Sequence, residues 1–337
     1  MEFLTSYGLF FVKTLTITLA IVAVLMVIAA LKAHYRSQRS DEPELEIKKL
    51  NDRYDEMRET FECELYDKDE LKKLAKARKK AEKQKQQADC PEKTRLFLLH
   101  FDGDMQASEA ELLRDEVTAV LTIATPKDEI VVRLESEGGL VHSYGFASSQ
   151  LQRIRDRQIP LTITIDHVAA SGGYMMACVA NQILAAPFAI VGSIGVVAQL
   201  PNFNRLLKKY DIDYEQITSG EYKRTLTMFG ENTEKGREKF TQEIEDTHHL
   251  FKKFVGQNRP QVKLEEVATG EHWYGEQALG LNLVDKIITS DDYLLQRAGT
   301  ADIYEVQYVY KEQLTDKLFN VVRFGIRRLM GKLFSNI

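Results

Sequence analysis

Residues 161–196 read LTITIDHVAASGGYMMACVANQILAAPFAIVGSIGV, and the fold class follows from how this stretch is parsed. Leu161–Ile165 is a short run of β-branched and apolar residues, which suits a strand. Ala170-Ser171-Gly172-Gly173-Tyr174 then turns the chain into a helix over Gly172–Val179, and Gln182–Ala185 reads as another strand. Ile183–Leu200 is apolar enough to pass for a membrane span. It contains Pro187, Gly192, Ser193 and Gly195 between α/β elements, so it reads as buried strand and loop.

Upstream, the same rhythm predicts strands at Arg95–Phe101 and Glu129–Leu134, with helices at Ala107–Thr122 and Val141–Arg155. Downstream it predicts helices around Glu234–Val255 and Ser290–Ala298 and a late strand at Ile303–Tyr310. Such β-α-β alternation implies a mostly parallel sheet covered by helices.

The ends differ from this middle. Thr14–Leu31 is 18 residues of apolar-plus-threonine sequence, and with Leu9–Val12 the stretch lengthens to 23. About 20 such residues cross a bilayer core. A cleaved signal peptide has a shorter apolar region ending in an A-x-A-like site, and none occurs between Thr14 and Arg36. The reading is therefore a retained anchor, residues 1–35, spanning about 9–31. Asp41–Gln87 is charged, with Leu45, Ile47, Leu50, Met57, Phe61 and Leu65 at helical spacing. Within Glu70–Gln87 eight basic residues face two acidic ones, so residues 36–92 read as a charged helical stalk or a strip for anionic headgroups. At the other end Lys317–Ile337 carries five basic and no acidic side chains around an apolar stripe. Residues 312–337 thus read as a basic amphipathic helix for a membrane interface or a neighbouring subunit.

Composition narrows the functional classes. With 44% hydrophobic and 28% charged residues the chain is of globular type. A net charge of −5 gives no overall positive field for nucleic acid. Cys63, Cys90 and Cys178 make neither a disulfide framework nor a zinc spacing, so no metal is implied.

Glycine turns after strands are where open α/β sheets place their chemistry. Ser136-Glu137-Gly138-Gly139 can expose backbone N–H groups, as an oxyanion hole requires, or can simply be a tight turn. Ser171 stands at a strand-to-helix elbow, either as a nucleophile or as the helix cap. Asp166 and His167 tempt a triad, but adjacent strand residues point to opposite faces. His34, His100, His142, His248, His249 and His272 come without an acid partner evident in the sequence and read as structural or solvated. A lysine can serve as base in place of a His-Asp pair. Lys223 follows the strand-like Tyr214–Thr218 and a glycine turn, although by composition it is one charged lysine among many.

Four segments together, ASGGYMMA (170–177), PFAIVGSIGV (187–196), SGEYK (219–223) and WYGEQALGLNLVD (273–285), resemble the signal peptide peptidase A family of membrane serine peptidases. The resemblance covers about Arg95–Ile287, and the anchor and stalk match in layout. It implies an α/β fold of ClpP/crotonase-like type, a spiral of β-β-α units, over a peptidase domain at 93–311. It implies that Ser171 is the nucleophile and Lys223 the general base. It also implies that backbone amides at Gly138, Gly139 and Gly172 form the oxyanion hole, with Ser193 lining the site and orienting the lysine. One departure is Glu137, where the family usually has proline, which bears on substrate preference.

The expected protein is a membrane-anchored serine endopeptidase of the bacterial inner membrane. It would need no cofactor and would act on unstructured or signal-peptide-derived peptides. Its expected partners are substrate, the lipid bilayer and further copies of itself, with no nucleic acid. The rival readings are a catalytically silent membrane scaffold and a crotonase-like acyl-CoA enzyme. Lys32, Arg36 and Arg39 after the span favour a cytoplasmic body, whereas the family resemblance favours the periplasm, and the sequence leaves both open.

Overall fold

The computed structural model describes residues 43–87 and 94–310, together with Thr14, Thr16 and Thr18. Apart from those three helical threonines, the span expected at 9–31 lies outside the described residues, and so does the basic tail at 312–337. Among the described residues no helix is long and apolar enough to cross a membrane. The chain divides into two units, residues 1–46 with 308–337 and residues 47–307. Described parts of the first are the three threonines, the start of strand β1 (Glu44–Lys49) and the end of strand β10 (Ala301–Val309).

The helical reading from Asp41 onward needs correction at its start, because Glu44–Lys49 is extended. Leu45 and Ile47 are two residues apart, the period of a strand, and helix begins only at α1 (Leu50–Leu65). Helix α2 (Lys68–Gln87) follows after a break at Asp67, whose carboxylate accepts the N–H groups of Asp69 and Glu70. Glu70 returns a bond to the Asp67 amide, a reciprocal cap that an Asp-x-x-Glu spacing encodes. The base of α1 is docked rather than solvated. Leu50 is buried with Leu96, Leu98 and Leu294, and the Asn51 amide donates to Ala298 O and Ala301 O while accepting from Ile303 N.

The middle of the chain follows the predicted rhythm: β2 (Thr94–Gly103), α3 (Ala110–Leu121), β3 (Glu129–Ser136), α4 (Val141–Asp156), β4 (Leu161–Ile165), β5 (Val168–Ala170), α5 (Gly172–Ala177), β6 (Gln182–Ala185) and β7 (Ile190–Gly192). After it come α6 (Asn204–Lys209), α7 (Glu234–Asn258), α8 (Leu264–Val267), β8 (His272–Tyr274), α9 (Gly275–Gly280), β9 (Lys286–Ile287) and α10 (Ser290–Ala298). The fold is mixed α/β around a large sheet. Its main path, β10-β2-β3-β4-β6-β9, is parallel throughout.

Parallel strands are buried on both faces, and β2 shows why its sequence is nearly all apolar. Phe97, Leu99 and Phe101 pack with Leu113, Val117 and Leu151, while Leu96 and Leu98 face Leu294 and Ile303. Each such side chain contributes roughly 1.5–3 kcal/mol on burial, so the sheet is held from both sides.

Short strands branch from this path and place the site. Ile130–Arg133 of β3 pair with Leu161–Thr164 of β4, but Ser136 at the end of β3 pairs with Ala169 of β5. β5 in turn pairs with β7, with Ala170 opposite Gly192, and β7 pairs antiparallel with β8. Three strand ends therefore lie side by side, and the chain leaving each carries a glycine or serine turn.

Two loop expectations need correction. Tyr214–Thr218 is not a strand but exposed coil, and Ile217 is 95% exposed. The buried stretch read at Ile183–Leu200 stops short, since residues 197–200 are exposed. Among the described residues neither Tyr214–Thr218 nor residues 197–200 pair with a strand that would take up their backbone groups, so apolar content alone did not bury them.

Candidate active site

The first turn is pinned by a buried polar cluster. Ser136 Oγ, with one hydrogen to give, lies 3.0 Å from Gly103 O and within hydrogen-bond reach of the Tyr144 hydroxyl. Burial pushes the Tyr144 phenol up, so it stays a neutral donor, and it reaches Asp104 O at 2.7 Å. The amide of Gly138 donates to Ser136 Oγ at 3.0 Å. This corrects the expectation that both turn amides face an oxyanion, because that of Gly138 is already engaged. Gly138 matters sterically instead. Its φ is +90°, and a Cβ there would lie 2.6 Å from Gly172 N and 2.8 Å from the Ser171 Cβ. Gly139 has no such bond and lines the cavity described next.

Ser171 leaves β5 with φ 51° and ψ −115°, a sparsely populated conformation for a residue with a side chain. It is held by its own N–H, which donates to Gly192 O at 2.8 Å, and by its carbonyl, which accepts from Met175 N at 2.9 Å. The next two residues must be small. A Cβ on Gly172 would meet the Tyr144 ring at 2.4 Å, and one on Gly173 would meet Ser136 O at 2.6 Å. Ser171 occupies the cap position of α5, yet its side chain makes no capping bond. The capping reading of this serine therefore fails, and its hydroxyl is left for other work.

Ser171, Gly139, Gly172 and Ser193 line one cavity of about 430 Å³. Among the described residues the amides of Gly139 and Gly172 carry no hydrogen bond to protein, which leaves two donors beside the serine. Ser193 has φ 51° and donates its amide to Glu271 O at 2.8 Å. Met175 and Phe251 give the cavity an apolar floor.

Lys223 is elsewhere. It is exposed and lines a separate open groove of about 690 Å³ with Tyr214, Ile217, Arg224 and Phe229. Glu221 beside it pairs with Lys235. Of the rejected triad candidates, Asp166 accepts from the amide and hydroxyl of Ser290, and His167 lines a different cleft with His100 and Arg133. Cys178 is buried, which pushes its thiol well up and makes it unreactive.

Sequence reasoning placed helix α7 but missed its contribution to the site. His248, grouped there with solvated histidines, lines the Ser171 cavity beside Thr247 and Phe251. The signal was present, since His248, Phe251 and Val255 recur at i, i+3 and i+7 and share one helix face.

Comparison with known proteins shows the family. Residues 2–151 match the model of the peptidase family S49 N-terminal region, and residues 153–303 match that of peptidase family S49. A Haemophilus influenzae protein named "Probable protease SohB" is 48% identical over 94% of this chain and 92% of its own length. The chain belongs to peptidase family S49. A SohB protein of Buchnera aphidicola subsp. Schlechtendalia chinensis is 46% identical over 88% of this chain and 100% of that one. Among solved structures, the membrane-bound stomatin-specific protease 1510-N in complex with a substrate peptide matches with a TM-score of 0.42 and 13% identity. It covers 68% of this chain and 98% of that one. The S49 assignment bears out the resemblance drawn from the four sequence segments. The chain is thus a protease of a serine peptidase family, and the S49 catalytic match spans Ser171, Ser193 and Lys223.

Proposed function

We propose that this S49 protein is a membrane-anchored serine endopeptidase whose acyl-enzyme forms on Ser171. The observation that carries this is the strained, uncapped Ser171 lining one cavity with Gly139 and Gly172, whose amides carry no hydrogen bond to protein among the described residues. Attack by Oγ on a peptide carbonyl places the developing oxyanion beside those two donors, where charge is stabilised as it forms. Lys223 accepts the serine proton, passes it to the leaving amine and then activates the deacylating water. Ser193, which lines the same cavity, orients the lysine. The element order β4-β5-α5-β6-β7 supports reading the domain as a ClpP/crotonase-like spiral of β-β-α units.

Lys223 and Ser171 line separate cavities within one chain, so the dyad is completed by a neighbouring copy in a homo-oligomer. The exposed apolar side chains of the loop that carries the lysine support this, including Val197, Tyr210 and Ile217. Patches of this kind mark protein contacts. Extended peptides, including signal-peptide remnants, suit a recessed cavity better than folded chains do. A fluorophosphonate probe on the full chain tests the proposal. Labelling of the wild type that disappears in Ser171→Ala is expected, and equal labelling of both overturns it.

A further inference from the structure

The wall of the Ser171 cavity contains a side chain that the proposed chemistry leaves without a role. His248 projects from α7, and its Nε2 lies 3.2 Å from Ile194 O. A carbonyl can only accept, so that nitrogen carries the proton and donates. We propose that His248 is a positioning residue for the hydrolysis on Ser171. By holding Ile194 O it fixes the Gly192–Gly195 loop and keeps Ser193 in the cavity lining beside the nucleophile. The inference rests on the Ser171 reading and adds a residue to it.

The loop needs such a tether. Ser193 sits at φ 51°, a conformation that persists where the surroundings over-determine it. Its amide bonds Glu271 O at 2.8 Å, which ties the start of the loop to the chain before β8. The next bond, Gly195 N to Ser193 O at 2.9 Å, is internal to the loop and ties it to nothing else. Between them stands the Ile194 carbonyl, whose partner among the described residues is the imidazole.

The helix supplying that imidazole is fixed in place. Phe251 and Val255, three and seven residues beyond His248, are 4% and 0% exposed. At its end Arg259, 2% exposed, sets two guanidinium nitrogens on the Asp285 carboxylate at 2.8 Å each. Asp285 also accepts from Ile183 N at 2.7 Å, which joins α7 to β6. A rigid helix therefore holds the loop through one hydrogen bond. The same loop reaches the nucleophile directly, since Gly192 O takes the amide of Ser171.

The test uses the full chain in detergent micelles with a quenched fluorescent peptide and a fluorophosphonate probe. Three variants are compared: His248→Ala, His248→Gln, which keeps an N–H donor near the Nε2 position, and His248→Asn, whose donor falls short of it. Ala and Asn are expected to lose about tenfold or more in kcat with KM little changed, as small misplacements of reacting groups do. Gln is expected to recover to within about threefold of wild type. Labelling of Ser171 slows in parallel, while Tm stays near wild type in all three. Wild-type rates across the series, or a Gln variant no better than Ala, overturn the inference while labelling at Ser171 leaves the nucleophile standing. A wild type that cleaves the peptide with no label on Ser171 overturns the nucleophile assignment and this inference with it.

Discussion

Gly192 O accepts the backbone N–H of Ser171 at 2.8 Å, and through this bond the end of β7 holds the residue that leaves β5. The pairing of Ala170 with Gly192 runs straight into it, so the strained serine is an extension of sheet register. Ser193, the next residue on β7's side, has the same φ of 51°. Two strained serines thus line one cavity because two short parallel strands end together.

Removing the proposed base without changing the fold is the sharpest check on the dyad. Lys223→Met keeps most of the stem, and Lys223 is exposed, so the variant should melt with the wild type. Its peptidase rate should fall by ~100–10,000-fold. Retention of activity within about tenfold would remove Lys223 from the mechanism.

If dyads form between copies, two dead proteins should repair each other. Ser171→Ala and Lys223→Met subunits, unfolded together and reassembled, should regain part of the activity that each lacks alone. A mixed oligomer confirmed by mass that stays silent would place the dyad within single chains.

Gly138→Ala should damage both stability and catalysis. The position has φ +90° and a Cβ there would lie 2.6 Å from Gly172 N, so neither the torsion nor the space admits a methyl group. A loss of about 1–3 kcal/mol in urea unfolding, with activity falling further, is expected. Alanine at wild-type stability would show that the turn relaxes freely.

The two partners of the ion pair below the site should not be equivalent. Arg259 is 2% exposed, whereas the Asp285 side chain is 29% exposed. Asp285→Ala strands the more deeply buried charge and should cost about 3–5 kcal/mol, more than Arg259→Met, which leaves a carboxylate that water can reach. Equal losses in chemical denaturation would contradict this.

Acid sensitivity should report on Asp128. Burial works against its carboxylate, but hydrogen bonds from Arg95 and Thr125 outweigh it and hold it below the usual range. A folded pKa lower than the unfolded one gives stability that is present above about pH 4 and lost as pH falls through the folded value. Asp128→Asn should lower stability at neutral pH and flatten the fall below pH 4. An unchanged acid profile would exclude this contribution.

Local sequence determined the strands and helices between Arg95 and Ala185, because runs such as LTITI are buried on both faces and cannot serve as anything but interior strand. Local turn chemistry also singled out Ser171 and the Gly138-Gly139 pair, since serine and glycine after a strand are locally encoded turns, while Gly172 and Ser193 came from the family resemblance. The partners of those turns were decided in three dimensions. That the Gly138 amide bonds Ser136 Oγ, and that His248 of α7 lines a cavity with Ser193, Gly172 and Ser171, 55 or more residues earlier in the chain, depends on strand register and helix docking. Lys223 shows the same limit from the other side. Sequence placed it after a strand, but an apolar run becomes a strand only where a neighbour accepts its backbone bonds, and Tyr214–Thr218 has none within the described chain.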